Sequence, residues 1–349
     1  MLPSASIKRA LLISSPRNGF TATGLSLTRM REFLGRQGFA IGDEQCIDGE
    51  SATRAKILEG FGALIEATRP GDIVVVYYAG HGSLFPDTIG DVITPHPMLE
   101  PMDVADSDGA HFNGLLGGEL RLLLRALARL CDNVTAIFDC CHAAGLLAAD
   151  QPAHTITEAR DRQLLAAIAT RAGQRIATHR GGADHRPTRG EPEPERRGSV
   201  RLLASSASER AYAHDDQSLL LFTDILVSVL ESHALADGLT WDLIIREVRA
   251  RVQQLRPEQR PGLEGNRDRR PFTTIEVPTP TEFFHVQREG QRLRLAAGTV
   301  AGIRPEDRFT LLPYTNHESP TSLARIRSLG PFHAILELPR NQPPLPDLM

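Results

Sequence analysis

Long apolar runs are missing from this 349-residue chain. No stretch approaches the roughly 20 residues a membrane-spanning helix needs, so no membrane-embedded part is expected. Near the N-terminus, Lys8 and Arg9 are followed only by Ala10-Leu11-Leu12-Ile13 before Ser14 and Pro16. That is too short for a signal-peptide core and suits a first strand. Excess charge is missing too: a formal net charge of −4 gives no general attraction to nucleic acid or anionic membrane. Cysteine is scarce, with 4 in all. Cys46, Cys131, Cys140 and Cys141 show no metal-ligand spacing, and adjacent Cys140 and Cys141 are poor disulfide partners. Free thiols point to a reducing cytoplasm. Aromatic residues make up only 5% against 41% hydrophobic, so the core must be built from aliphatic side chains. There is no internal repeat.

What is present is an alternation of strand and helix patterns over the first 145 or so residues. After a strand at Ala10–Ser14, apolar positions Leu27, Met30, Phe33 and Leu34 predict a helix. Ile57, Leu58, Phe61, Leu64 and Ile65 form a second helical stripe, and Leu120, Leu123, Leu124, Leu127 and Leu130 another. Between them lie two near-continuous apolar runs, Ile73–Tyr78 and Val134–Phe138. Such runs separated by helices predict a mostly parallel sheet covered on both faces. Each run stops at a reactive residue type, His81 within Tyr77-Tyr78-Ala79-Gly80-His81-Gly82 and Cys141 within Asp139-Cys140-Cys141-His142-Ala143-Ala144-Gly145. Ligands of open α/β sheets bind at the carboxyl ends of the strands. An imidazole and a thiol delivered to one rim make a nucleophile with its base.

These two stretches resemble the signature motifs of the caspase-like cysteine peptidases, in their metacaspase rather than animal-caspase form. The 60-residue separation of His81 from Cys141 suits a caspase histidine roughly 50 residues upstream of its cysteine. The resemblance makes His81 the general base and Cys141 the nucleophile, with the backbone N–H groups of Gly82 and Cys141 as oxyanion donors. Cys140 should point away from Cys141 and is the lesser candidate nucleophile; His142 and His96 need no catalytic role. Asp139 has two compatible readings. It is a strand-end carboxylate capping the helix that follows, or, as the resemblance implies, the acidic floor of a pocket for Arg or Lys. Metacaspases usually add a second pocket aspartate, but Ser26 or a neighbour occupies that place and no acid lies between Arg17 and Arg31. Glu209 is the candidate replacement, and Ser205 and Ser206 are the expected edge for pairing with substrate backbone. Many metacaspases are activated by calcium; Asp103, Asp106 and Asp108 lack the downstream glutamate of an EF-hand loop, so a solvated acidic loop and no cofactor are expected.

The segment from Arg171 to Gly198 is crowded with Arg, Gly, Pro and Glu and predicts a flexible linker open to self-cleavage after arginine. Beyond it come a strand at Val200–Ser205, a helix near Leu219–Leu230 and a helix from an N-cap at Thr240 to Leu255. Gln259–Phe272 resembles the closing segment of the caspase fold. After Pro278-Thr279-Pro280, short alternating stretches at Phe283–Val286, Arg292–Ala296, Arg308–Pro313, Leu323–Ile326 and His333–Leu338 suggest a small SH3-like β-barrel. The expected map is therefore a large-subunit portion (1–150), a linker (151–199), a small-subunit portion (200–279) and a β domain (280–349). The fold class is a caspase-like α/β/α sandwich plus that β domain. The expected activity is peptide-bond hydrolysis through an acyl-enzyme on Cys141, with protein or peptide substrates. The rivals are a catalytically silent interaction module of the same fold and non-proteolytic acyl transfer. Physiological substrates and oligomeric state are not legible.

Overall fold

The computed structural model describes residues 6–89, 92–108, 111–146, 199–233, 239–276, 284, 286–289, 292–299, 303–311 and 322–338. The expected linker, apart from Ser199, lies outside the described residues. The chain divides into two compact units, Met1–Ser232 with Thr240–Glu276, and His233–Leu239 with Val277–Met349.

The first unit is built on a six-stranded sheet. Its strands are β1 (Lys8–Ser15), β2 (Cys46–Asp48), β3 (Ile73–Gly80), β7 (Val134–Asp139), β8 (Ser199–Leu203) and β9 (Gly262–Gly265), in the order β2-β1-β3-β7-β8-β9. All neighbours are parallel except β9, which runs antiparallel to β8. The central strand β3 is a β-branched and aromatic run whose residues from Val74 onward are all buried, as a strand covered on both faces requires. Side chains alternate across it. Val74, Val76 and Tyr78 join Leu11, Ile13, Val134, Ala136 and Phe138 beneath helices α2 (Arg54–Ala67) and α3 (Gly117–Leu130). On the other side pack α1 (Ala22–Arg36), α5 (Leu221–Ser232) and α6 (Trp241–Leu255). There the Tyr77 hydroxyl lies 2.9 Å from Thr223 Oγ1 of α5. A short helix, α4 (Ala143–Leu146), follows β7.

The expected α/β/α sandwich is therefore present, with β1, β3 and β7 one to three residues longer than the sequence pattern alone indicates and β8 starting one residue earlier and ending two earlier. Thr240 is indeed the N-cap of α6, its Oγ1 accepting from the Leu243 N–H at 3.4 Å. What the pattern did not indicate is a three-stranded antiparallel sheet after His81, made of β4 (Gly82–Ile89), β5 (Val92–Leu99) and β6 (Leu115–Leu116). Prolines hid it, since proline ordinarily demotes a strand assignment. Pro86 and Pro95 sit directly opposite one another across the hairpin, at a pair where neither N–H is available.

The second unit holds a five-stranded antiparallel sheet of β10 (Val286–Glu289), β11 (Arg292–Leu295), β12 (Arg308–Leu311), β13 (Ser322–Leu329) and β14 (Ala334–Glu337), ordered β10-β11-β14-β13-β12. It is all-β, as expected. Leu293, Leu295, Ile303, Leu311 and Leu336 fill its small core.

One buried ion pair ties α2 to α3. Arg54 and Glu119 form a two-pronged bridge at 2.7 and 3.1 Å with both side chains nearly inaccessible. Arg54 also donates to the Gly114 carbonyl at 2.7 Å, and Glu119 accepts from the Leu116 N–H at 2.9 Å. Removing one partner leaves a buried, uncompensated charge. Glu119→Ala should therefore destabilise the fold by about 3–5 kcal/mol, read as a lowered urea midpoint; a change below about 1 kcal/mol would mean that water reaches the guanidinium.

Candidate active site

Strands β3 and β7 are parallel neighbours, paired from Val74↔Val134 to Ala79↔Asp139. His81 and Cys141 each lie two residues beyond that last pair, so both leave the sheet at the same edge and level. The loop after His81 packs directly onto the thiol-bearing turn. A methyl group on Gly82 would sit 2.2 Å from the Cys141 carbonyl oxygen and 3.2 Å from the Cys140 sulfur. Only glycine permits that approach. Gly80 is constrained similarly, because a methyl there would lie 2.6 Å from the Tyr78 hydroxyl. That hydroxyl faces the carbonyls of His81 and Glu100 at 3.0 and 3.2 Å. The His81 carbonyl also accepts from the Glu100 N–H at 3.1 Å. The imidazole lies against the Phe20 ring, centroids 5.5 Å apart. Its Nε2 is buried and has no hydrogen-bond partner.

Cys140 and Cys141 are adjacent yet differ as alternation demands. Cys140 is 1% exposed within the core shared with Phe138 and Leu146, and burial pushes its thiol well above the ordinary range. It is an inert hydrophobe. Cys141 is half-buried, and its sulfur accepts from the Ala211 N–H at 3.4 Å. Burial raises its thiol; the Ala211 N–H and the Arg210 charge oppose that rise, while Asp139 adds to it. The turn continues through His142, whose φ of 58° is left-handed. Such a conformation is uncommon outside glycine and is held here by two bonds. The His142 N–H donates to the Glu209 carbonyl at 3.0 Å, and its Nδ1 lies 2.8 Å from the Ala207 carbonyl.

Asp139 is 1% exposed. One carboxyl oxygen, Oδ2, accepts from both the N–H and the hydroxyl of Thr223, at 2.9 and 2.6 Å. It thus caps a helix, but α5 from across the sheet rather than the helix that follows it. The other oxygen, Oδ1, is buried without a partner. Burial outweighs the two Thr223 bonds and pushes the carboxyl up to about 7, leaving it poised between neutral and charged forms near neutrality. Ser26, standing where the resemblance expects a second acid, is fully buried. Its hydroxyl accepts from the Leu220 N–H at 2.8 Å.

Three residues expected to meet substrate are committed elsewhere. Ser205 is fully buried; its hydroxyl donates to the Cys140 carbonyl at 3.1 Å and accepts from the Ala143 N–H at 3.3 Å, and its carbonyl accepts from Ala144. It braces the thiol-bearing turn. Ser206 closes its own turn with Glu209, through N–H to carboxylate at 3.2 Å and carbonyl to N–H at 3.2 Å. The Glu209 carboxylate accepts from the Arg260 N–H at 3.0 Å, with the Arg260 guanidinium 3.5 Å away. Its charge is thus partnered within the chain. Reasoning from sequence passed over Thr223, Tyr78, Phe20, Ala211 and Gln259, because each acts through contacts distant in the chain or through main-chain atoms. Asp103 accepts from the Arg54 N–H at 2.9 Å and Asp108 from the His111 N–H at 2.7 Å. Among the described residues no cluster of three His, Cys, Asp or Glu forms a metal-holding group, and no helix is long and apolar enough to cross a membrane.

A parallel-sheet α/β/α unit that brings a histidine and a cysteine to one strand-end rim is the architecture of a caspase-type peptidase. The caspase-domain family profile matches residues 16–273, and the chain belongs to that family, whose members are cysteine peptidases acting on proteins. No curated protein matches it. Among solved structures, a Geobacter sulfurreducens protein is 19% identical with a TM-score of 0.48, covering 77% of this chain and 100% of that one. Caspase-1 from Spodoptera frugiperda is 10% identical with a TM-score of 0.45, covering 74% and 86% respectively.

The Asp139 carboxyl should leave a signature in stability. Its folded value lies above the ordinary 3.8, so the folded chain holds this proton where the unfolded chain has lost it. The resulting stabilisation is complete below about pH 4 and disappears as pH rises through about 7. Asp139→Asn keeps an acceptor for Thr223 and cannot ionise. Urea titrations should find the stability difference between the two proteins moving against wild type from pH 5 to pH 8, by a few kcal/mol at about 1.4 kcal/mol per unit. A difference constant with pH would mean that Asp139 ionises normally.

Proposed function

We propose that the chain is a cysteine endopeptidase using His81 and Cys141, with a preference for Arg or Lys before the scissile bond. The observation that carries this reading is the β3–β7 register, which ends two adjacent parallel strands in an imidazole with a free Nε2 and a half-buried thiol. In the reaction, His81 takes the Cys141 proton as the sulfur attacks the scissile carbonyl carbon. The N–H groups of Gly82 and Cys141 hold the developing oxyanion, a contribution that can be worth 10²–10³-fold in rate per donor. His81 then gives its proton to the leaving amine, and the thioester is hydrolysed by a water that His81 deprotonates.

The cation preference rests on Asp139. An unpartnered buried carboxylate oxygen is costly and is compensated by an incoming ammonium or guanidinium. Binding a cation would also favour ionisation of a carboxyl poised at about 7. With Glu209 engaged by Arg260 and Ser26 uncharged, this pocket has one acid, so selectivity should be looser than two acids give.

A fluorogenic peptide panel tests both parts. Cys141→Ala should abolish cleavage, His81→Ala should reduce it by several orders of magnitude, and Cys140→Ala should leave most of it. Arg and Lys peptides should be cleaved faster than Asp peptides, with the advantage growing from pH 6 to pH 8 as Asp139 ionises. Turnover by Cys141→Ala would refute the nucleophile. A preference for Asp peptides would refute the pocket. Absence of cleavage across a broad panel would favour the silent interaction module.

A further inference from the structure

The geometry points to Gln259 as a positioning residue for the Cys141 thiolate, acting through the backbone of Ala211. This rests on Cys141 being the nucleophile, but its argument is independent of substrate.

Gln259 lies 118 positions beyond Cys141 and is completely inaccessible to solvent. Its amide makes one contact on each side. Nε2 donates to the Ala204 carbonyl at 3.0 Å, and Oε1 accepts from the Tyr212 N–H at 3.1 Å. Ala204 and Tyr212 are the two ends of the loop that lies over the thiol, so one side chain closes that loop like a staple. The Tyr212 N–H and the Ala211 carbonyl belong to the same rigid peptide plane. Holding that N–H therefore orients the Ala211 carbonyl, found 3.9 Å from the Cys141 sulfur, and locates the Ala211 N–H one Cα away, at 3.4 Å from the same sulfur.

The two contacts suit different protonation states. The carbonyl can accept from the neutral S–H, while the N–H bond strengthens once the sulfur carries charge. Residues flanking Gln259 hold the loop as well. Arg256 stacks over the Tyr212 ring at 5.7 Å and pairs with Asp215, and Arg260 engages Glu209. Of the three, only Gln259 bonds the peptide that touches the sulfur. The other groups bearing on the thiol are the Arg210 charge, which favours thiolate, and Asp139, which opposes it. Cys140 adjoins it in sequence, and His81 leaves the sheet beside it. None of these is moved by a change at Gln259 except through the loop.

The test is the pH profile of iodoacetamide alkylation of the full chain, read by mass spectrometry on the peptide that carries Cys141. Gln259→Met keeps the size and removes both hydrogen bonds; Ala211→Pro keeps Gln259 and deletes the N–H that meets the sulfur. Both should move the alkylation midpoint up by about one pH unit, the size expected for weakening one bond to a charged group. A merely structural Gln259 would lower the melting temperature and leave the midpoint in place. Profiles of the folded variants that overlay wild type would overturn the assignment. Should Gln259→Met fail to fold, the Ala211→Pro midpoint decides: no upward shift there overturns it equally. Because alkylation needs no peptide turnover, a shifted midpoint in a protein that cleaves nothing would uphold this inference while removing the proposed activity.

Discussion

The parallel pairing of β3 with β7 is the constraint on which the rest of this molecule depends. Both strands are buried on both faces, so each alternate residue has an assigned neighbour: Tyr77 beside Ile137 on the α5 side, Tyr78 beside Phe138 on the α2 side. A slip of one residue would exchange the faces of the whole strand. Tyr77 would lose Thr223, and Tyr78 would lose the carbonyls that shape the His81 turn. The register is thus held by core packing and by polar contacts together, and it fixes the level at which His81 and Cys141 emerge. The two glycines of the His81 motif extend the same logic. Gly80 makes room for the Tyr78 hydroxyl and Gly82 for the Cys141 carbonyl, so both follow from contacts with the strand pair.

Burial sets the chemical character of three successive residues at the end of β7. Asp139 is turned toward α5, Cys140 toward the α2 and α3 core, and Cys141 toward the rim. Asp139 and Cys140 are held near neutrality by desolvation; Cys141 alone has a donor on its sulfur and a nearby cation to offset the same penalty. The difference in setting between the two thiols is one step of strand alternation, with a backbone N–H and the Arg210 charge beside Cys141 alone.

The framework was readable because its signals are local. Apolar runs at Ile73–Tyr78 and Val134–Phe138, the helical stripe at Ile57–Ile65 and the Thr240 cap each announce themselves within a few residues. So did the two motifs, whose order and strand-end placement suffice to bring His81 and Cys141 to one edge. The β4–β5 hairpin was not readable because Pro86, Pro95 and Pro97 contradict its local signal, and only the cross-strand match of Pro86 with Pro95 resolves the conflict. The contacts of Ser205, Ser206 and Glu209 within the chain were not readable for another reason. Ser205 touches the Cys140 turn, but sequence does not say whether a polar group near a site faces the solvent or the scaffold. That depends on partners such as Arg260 and Ala143, which lie in other segments.

These supporting contacts have a consequence for how the site comes into being. The thiol-bearing turn is supplied by residues before 147, yet among the described residues most of the bonds that shape it come from residues after 199. Ser205 braces Cys140 and Ala143, Ala207 and Glu209 hold the left-handed His142, Ala211 meets the sulfur, and Thr223 fixes Asp139. An unassisted first half would carry His81 and Cys141 without these contacts. The same contacts, with five parallel pairs between β7 and β8 and the antiparallel closure by β9, bind the halves without relying on the covalent connection between them. Among the described residues, the setting of Cys141 is thus fixed by the docking of β8 and the loop that follows it.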